Sequence, residues 1–233
     1  MPTIVFVSPK GGVGKTTSAL LLALQLTERY GVTVVDADPN RPIKAWAAAG
    51  NAPKNLNVMS NVDEENVIDR IEEAAAQTPF VVVDLEGTAA KIVLLAVSQA
   101  DFVVIPTQGS QLDAEQASRA IRVVKQQEKM TGRKMPYSVL LTRTNAQIRT
   151  RNTTHVQQGL ISAGIPVLET ELNEREAFRS LFSFRQPLSQ LNPADVANLD
   201  KAQKNVEALT LEILQKLAQQ TEISIRKEEV GQT

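Results

Sequence analysis

Eight residues near the start of the chain, Lys10-Gly11-Gly12-Val13-Gly14-Lys15-Thr16-Thr17, have the types and spacing of a phosphate cradle. Glycines let the backbone curl until successive N–H groups face one anion, and the positive end of a following helix adds to that field. In such a frame Lys15 reaches the β- and γ-phosphates of a nucleoside triphosphate. Thr16 offers a hydroxyl to Mg²⁺, a hard cation that takes oxygen ligands. The motif stands between a short β-branched apolar run and an apolar helical stretch, which is the context a phosphate loop requires. A glycine-rich turn without a ligand is the alternative, and this context disfavours it. The residues therefore read as a site for ATP and Mg²⁺.

Three carboxylates stand at the ends of two further apolar runs. Asp36 and Asp38, in Val34-Val35-Asp36-Ala37-Asp38-Pro39, close one run, and Asp84 closes the other. The carboxyl ends of parallel strands converge on the ligand crevice of an open α/β sheet. Any one of the three alone reads as a turn or a helix cap. Three of them beside a phosphate loop read as part of one site.

The elements that must position these groups follow from the hydrophobic pattern. Strands are expected at 3–7, 32–36, 56–59, 80–84, 102–106 and 138–142. Helices are expected at 15–30, 63–77, 89–99, 113–131, 150–163, 174–182 and 193–219. Continuous apolar strands mark a sheet buried on both faces. Strands alternating with helices imply right-handed crossovers, hence a doubly wound, mostly parallel sheet with helices on both faces. One domain is expected over residues 1–221, with a flexible polar tail at 222–233.

Composition narrows the classes. The chain has 233 residues, 42% hydrophobic and 22% charged, as an ordinary globular domain has. No cysteine is present, which removes disulfides, thiolate metal sites and iron–sulfur ligation. No apolar run approaches the ~20 residues needed to span a bilayer, and a cytoplasmic location is expected. The net charge of -1 hides an imbalance: 36–101 holds 11 acidic and 5 basic residues, whereas 133–185 holds 8 basic and 4 acidic. A locally basic face is compatible with a neutral total. The one histidine, His155, has no companion for a triad or metal site.

The lysine at the start of the loop resembles the deviant Walker A motif of the ParA/MinD family. Carried over, Lys10 is the signature lysine that crosses a nucleotide-sandwich dimer to the partner's phosphates, and residues 10–17 hold the phosphates. The Asp-Ala-Asp-Pro stretch is similar to the family's Asp-x-Asp-Pro segment. The resemblance makes Asp38 the residue that positions or activates the attacking water and Asp36 a support of the Mg²⁺ shell. Asp84 resembles the Walker B aspartate that holds Mg²⁺ through a water. Gly87 can offer a backbone N–H to the γ-phosphate, and Glu86 is expected to point away or to act as a second base. Pro106 and the loop near Leu172 are expected edges of the adenine pocket. Asn40-Arg41-Pro42 followed by Trp46 resembles VirC-type accessory ATPases of DNA transfer, with Arg41 either a partner contact or a surface residue.

The resemblance also implies a cycle. ATP holds a homodimer that binds DNA without sequence preference, and a separate ParB-like adaptor stimulates hydrolysis. The segment 168–179 resembles the late DNA-contacting stretch, so Arg149, Arg151, Arg175, Arg179 and Arg185 are the expected DNA contacts. Their alternative is a solvated face, or pairing with Glu171, Glu174 and Glu176. A membrane-cycling relative like MinD would end in a basic amphipathic helix. Residues 222–230 are short and mixed in charge, which disfavours that reading. Related amidoligases share a P-loop but fit the Asp-x-Asp-Pro segment and late arginines less well.

Overall fold

The computed structural model describes residues 1–86 and 90–230. Fifteen regular elements and one 3-10 turn alternate along these residues. The strands are β1 Thr3–Phe6, β2 Val32–Ala37, β3 Leu56–Met59, β4 Phe80–Leu85, β5 Phe102–Thr107, β6 Tyr137–Thr144 and β7 Leu172–Asn173. The helices are α1 Lys15–Leu26, α2 Pro42–Ala47, α3 Val67–Gln77, α4 Ala90–Ser98, α5 Gln111–Thr131, α6 Arg151–Ser162, α7 Glu176–Ser183 and α8 Leu199–Val230.

All seven strands are parallel, in the order β3-β2-β4-β1-β5-β6-β7. The doubly wound expectation holds. Alternation along the strands divides the interior into two cores. Ile4, Phe6, Val34 and Val82 face one side and pack with α1, α2, α7 and α8. Val5, Val35, Val81 and Val83 face the other and pack with α3, α4, α5 and α6. Both faces are covered, which explains the near-continuous apolar strands. Helix α1 is buried almost all round, from Ala19 to Leu24, because it lies across the middle of the sheet under α8. Strands β2 to β4 lie to one side of β1 and β5 to β7 to the other, so the crevice opens at the carboxyl end of β1.

The differences from the expected elements have local causes. Helix α1 ends at Leu26 rather than at 30, where the Thr27 hydroxyl donates to the Leu24 carbonyl (2.6 Å). Helix α3 starts at Val67 because Asp63 and Asn66 close a turn ahead of it, Asp63 Oδ1 accepting from the N–H groups of Glu65 (2.9 Å) and Asn66 (3.1 Å). Helix α2 and strand β7 have no sequence periodicity to announce them, being six and two residues long. Helix α8 begins at Leu199, after a turn around Leu188–Gln190, and its backbone stays helical to Val230. The expected change at 222 thus does not interrupt the backbone there; residues 222–230 contain neither glycine nor proline.

Candidate functional site

The loop after β1 has the geometry its glycines allow. Gly12 (φ 74°) and Gly14 (φ 93°) are both left-handed, and Gly14 is the N-cap of α1. A side chain at either position would be strained, so only glycine makes this curl at no cost. Gly14 accepts the first helical hydrogen bond, from Ser18 N–H (2.8 Å), leaving the N–H groups just before it to face a ligand. Lys15 is only 8% exposed, and its ammonium donates to the Lys10 carbonyl (3.3 Å), at the length of a weak bond. Burial lowers its pKa, while Asp84, Asp38 and Glu86 pull it back up. The ammonium is thus held among carboxylates in a poorly solvated spot, where an added polyphosphate would find a strong partner.

The carboxylates take different positions. Asp36 and Asp84 are register partners on β2 and β4, 1% and 0% exposed. Asp36 Oδ2 accepts from the Lys44 N–H (2.8 Å) and so caps α2, while its Oδ1 has no partner among the described residues. Burial raises the Asp36 pKa, against backbone hydrogen bonds from α2 that lower it. Among the described residues neither oxygen of Asp84 has a hydrogen-bond partner. Burial pushes Asp84 up to about 7; the nearby Thr16 hydroxyl and Lys15 oppose this, and Asp36 and Asp38 reinforce it. Asp38 is half-buried at the mouth, its Oδ1 accepting from the Asn40 N–H (2.8 Å). A buried carboxylate with both oxygens unpartnered, beside a threonine hydroxyl, fits a magnesium ion held partly through water. Among the described residues no three histidines, aspartates or glutamates form a metal cage by themselves. Gly87 lies outside the described residues.

Lys10 turns away from its own loop. Its Nζ pairs with Asp113 Oδ1 (2.6 Å), whose side chain is 2% exposed, while the lysine side chain itself is 41% exposed. Asp113 sits in the first turn of α5, where Ser110 is the N-cap and accepts from the Asp113 N–H (3.2 Å). The Ser110 hydroxyl also hydrogen-bonds Asp113 Oδ2. Burial alone would raise the Asp113 pKa, but the hydrogen bonds from Lys10 and Ser110 hold it below the usual carboxylate value. Two more contacts tie the β5–α5 turn to the loop and β6: Gln108 Nε2 donates to the Gly12 carbonyl (3.1 Å), and the Thr142 hydroxyl bridges the Val13 (2.7 Å) and Thr107 (3.1 Å) carbonyls. Asp113, Gln108 and Thr142 had no role in the sequence reading. The Ser-x-x-Asp spacing of a capping box was the available signal for Asp113.

A cleft opens behind the loop, lined by Gly14, Thr17, Arg143, Asn173, Arg175 and Phe178 among others. Arg143 (φ 52°) is left-handed, an uncommon state for a non-glycine residue that clusters at ligand sites. Asn205 of α8 holds the cleft's outer wall with both ends of its amide. Nδ2 donates to the Glu171 carbonyl (2.8 Å) and Oδ1 accepts from the Asn173 N–H (3.1 Å). Of the two expected edges of the adenine pocket, Leu172 lines this cleft, whereas Pro106 is buried inside β5, paired with Leu140, and does not. Proline is tolerated there because β1 stops pairing at Val104.

The expected DNA arginines do not form one open face. Arg149 is paired with Glu171 and Gln157. Arg179 is paired with Glu174 (2.6 Å) and Glu176 (3.0 Å). Arg175 is half-buried in the cleft, bonded to Asn173 Oδ1 (3.2 Å), with its Nε buried and without a partner among the described residues. Arg151 and Arg185 are exposed, at the first turn of α6 and after α7. The pairing alternative holds for Arg149 and Arg179. Arg41 is exposed at the N-cap of α2, and Trp46 is buried, donating to the Leu181 carbonyl (2.8 Å).

Comparison with known proteins agrees with this geometry. The VirC1 protein family matches residues 1–219. Protein ParA of Rhizobium radiobacter is 35% identical over 94% of this chain and 99% of its own length. The maintenance of carboxysome distribution protein A of Halothiobacillus neapolitanus is 29% identical over 76% of this chain and 82% of its own. Among solved structures, an ATP complex of a Cyanothece McdA variant superposes with a TM-score of 0.73 at 17% identity, covering 91% of this chain and 96% of that one. The chain belongs to the VirC1 family, within the ParA/MinD group of P-loop ATPases.

Proposed function

We propose that the protein is a Mg²⁺-dependent ATPase that dimerises on ATP, binds DNA without sequence preference and uses hydrolysis to partition or position it. The observation that carries the ATPase reading is the formed phosphate loop beside Asp84, a buried carboxylate with two orphaned oxygens. The similarity to ParA along nearly its full length supports partition as the purpose.

Each residue has a task in that reading. The N–H groups of residues 11–17 and the Lys15 ammonium bind the β- and γ-phosphates. Thr16 and Asp84 would hold Mg²⁺, which would supply positive charge to the phosphates, and Asp36 would support that set from the second strand. Asp38, at the mouth of the site, orients the attacking water. Lys10, reaching the opposite subunit's γ-phosphate, makes the dimer sensitive to whether that phosphate is present. The base lies in the cleft behind the loop, between Arg175, Asn173 and Phe178. A separate ParB-like adaptor stimulates hydrolysis, and the protein works in the cytoplasm, on the nucleoid while ATP-bound. Among the described residues no helix is long and apolar enough to cross a membrane.

The match to the VirC1 family favours a second cargo, DNA in transfer between cells, handled by the same cycle. The test is co-sedimentation with random duplex DNA under ATP, ADP and no nucleotide, at two salt concentrations. Retention only with ATP, weakened by salt, is expected. Retention independent of nucleotide would refute the cycle.

A further inference from the structure

Helix α5 has two opposed faces. One buries Asp113, Ala117, Ala120, Ile121, Val124 and Gln127 against the sheet. At 100° per residue, Arg119, Arg122, Lys125 and Lys129 fall within about a third of the helix circumference, opposite the buried face. All four are exposed, and the chain leaving the helix adds exposed Arg133 and Lys134 beside them. From Arg119 to Lys129 the stripe is about 15 Å long at 1.5 Å per residue.

The charges on this layer do not cancel. Lys125 is tied to Glu128 (2.7 Å) and Arg133 to Asp101 (3.0 Å). Arg119, Arg122 and Lys129 make no ion pair among the described residues, and Lys134 lies close enough to Glu128 to help hold that carboxyl below its usual value. Glu115, on the first part of the same face, is the remaining exposed acid of α5. The helices packed against α5 add none at this surface: α6 has no acidic residue and presents Arg151 and His155, and Lys91 of α4 is paired with Glu64 (3.2 Å). Six cations on the stripe therefore meet three acids, Asp101, Glu115 and Glu128. By contrast, three of the arginines on the far side of the sheet edge, Arg143, Arg149 and Arg179, each have a glutamate partner.

We infer that the outer face of α5, through Arg119, Arg122 and Lys129, with Lys134 at its end, is a binding surface for the phosphate backbone of duplex DNA. The inference rests on the DNA-binding reading above and names its surface. Cations at one-turn spacing without carboxylate partners are what phosphate contacts need, and arginine forks match phosphate oxygens. An anionic membrane would require apolar side chains interleaved with the cations. The exposed face here holds Glu115, Ser118, Gln126 and the arginines and lysines, with the exposed apolar side chains Leu112 and Met130 confined to its margin, one near each end of the helix.

The test uses the full chain and the triple variant Arg119→Gln, Arg122→Gln, Lys129→Gln. Binding to two unrelated duplexes is measured with a non-hydrolysable ATP analogue across a salt series. Vesicles of phosphatidylserine and phosphatidylcholine serve as a second probe. The variant is expected to lose at least about tenfold in affinity on both duplexes at low salt. Its log–log salt slope is expected to fall by about two to three, one for each lost phosphate contact. Its basal ATP hydrolysis and thermal midpoint stay at the wild-type value, since none of the three residues touches the nucleotide site. Wild type that binds DNA beside a variant with the same affinity and slope overturns this surface and leaves the cycle intact. Wild type that binds no duplex with any nucleotide overturns both, and capture on vesicles instead of DNA would overturn the partner.

Discussion

Replacing Asp113 with asparagine separates two roles that the Lys10–Asp113 pair combines. The pair holds α5 to the phosphate loop, and it holds Lys10 back from any other phosphate. Asparagine keeps the shape and still reaches Ser110, but it removes the charge that Lys10 answers. Asp113 is covered by its immediate neighbours yet lies near the surface, and Lys10 is substantially exposed, so the surrounding water screens the pair. A charge-assisted hydrogen bond of about 1.5–3 kcal/mol should be discounted toward the exposed-pair value, leaving about 1 kcal/mol. The free protein is then expected to melt about 2–4 °C lower, the shift that about 1 kcal/mol makes in a domain of this size. The sign with pH follows from the lowered Asp113 pKa. The carboxylate's contribution is present above its unfolded value and lost as pH falls through the lower folded value, so the two proteins converge only in strong acid.

The dimer is expected to move the opposite way. If Lys10 must leave Asp113 to reach the partner's γ-phosphate, each dimer breaks two such pairs. Removing that cost strengthens ATP-dependent dimerisation by about 2 kcal/mol, or about thirtyfold in dissociation constant. Light scattering or sedimentation across a concentration series, with ATP, ADP and a non-hydrolysable analogue, measures it. A variant that melts lower and dimerises no better with ATP would refute the tether. Tightening with ADP as well would show that Lys10 does not sense the γ-phosphate.

Other expectations follow from the same site. Lys15→Gln is expected to abolish measurable ATP hydrolysis, because an amide cannot neutralise the phosphates; a wild-type rate would remove the phosphate-loop assignment. Asp84 is raised to about 7, so between its unfolded value near 4 and pH 7 the folded protein holds a proton that the unfolded chain has lost, and stability from this group falls as pH rises. Asp84→Asn is therefore expected to raise the melting point of the nucleotide-free protein at pH 8, by up to about 4 kcal/mol of stability, and hardly at all at pH 4. Equal effects at both pH values would show that the carboxylate is not strained by burial. Arg175→Ala and Asn205→Ala are expected to weaken ATP binding about tenfold or more while leaving tripolyphosphate binding unchanged, since both act on the cleft and not on the phosphate loop. Equal losses for the two ligands would place the base elsewhere. Gly109→Ala puts a Cβ into the Thr153 hydroxyl and 3.1 Å from its Cα, so the first turn of α6 must shift, at a cost of about 1–3 kcal/mol read from the melting point.

The phosphate loop was legible because its chemistry is local. Gly12, Gly14, Lys15 and Thr16 fall within one short stretch of the chain, and the strand before them and helix after them are strongly apolar. Asp36 and Asp84 were legible for a related reason, as charged residues that end apolar runs in a parallel sheet, and they proved to be direct register partners. What the chain did not announce is made by contacts far apart in sequence. Lys10 meets Asp113 across 103 positions, and Thr142 meets Val13 across 129. Nor did the two residues of β7 carry any pattern; they are strand because Asn205 supplies on one side the hydrogen bonds that β6 supplies on the other.

Charge shows the same limit from another angle. Counting along 133–185 found an excess of arginines, and the fold then placed Glu171, Glu174 and Glu176 against Arg149 and Arg179 and turned Arg175 inward. Those glutamates lie in the same short segment, so the count could not tell display from neutralisation. On α5 the cations and acids are just as close in sequence, but the helix leaves Glu115 as the one exposed acid on the cationic face. Arg119, Arg122 and Lys129 recur at intervals that bring them to one face, while Glu128 falls to the flank and is occupied by Lys125 and the Met135 N–H (2.9 Å). A field strong enough to hold a polyanion needs cations that share a face and lack partners. Among the described residues Arg119, Arg122 and Lys129 share a face of α5 without an ion pair, whereas Arg143, Arg149 and Arg179 of the arginine-rich segment each have a glutamate partner.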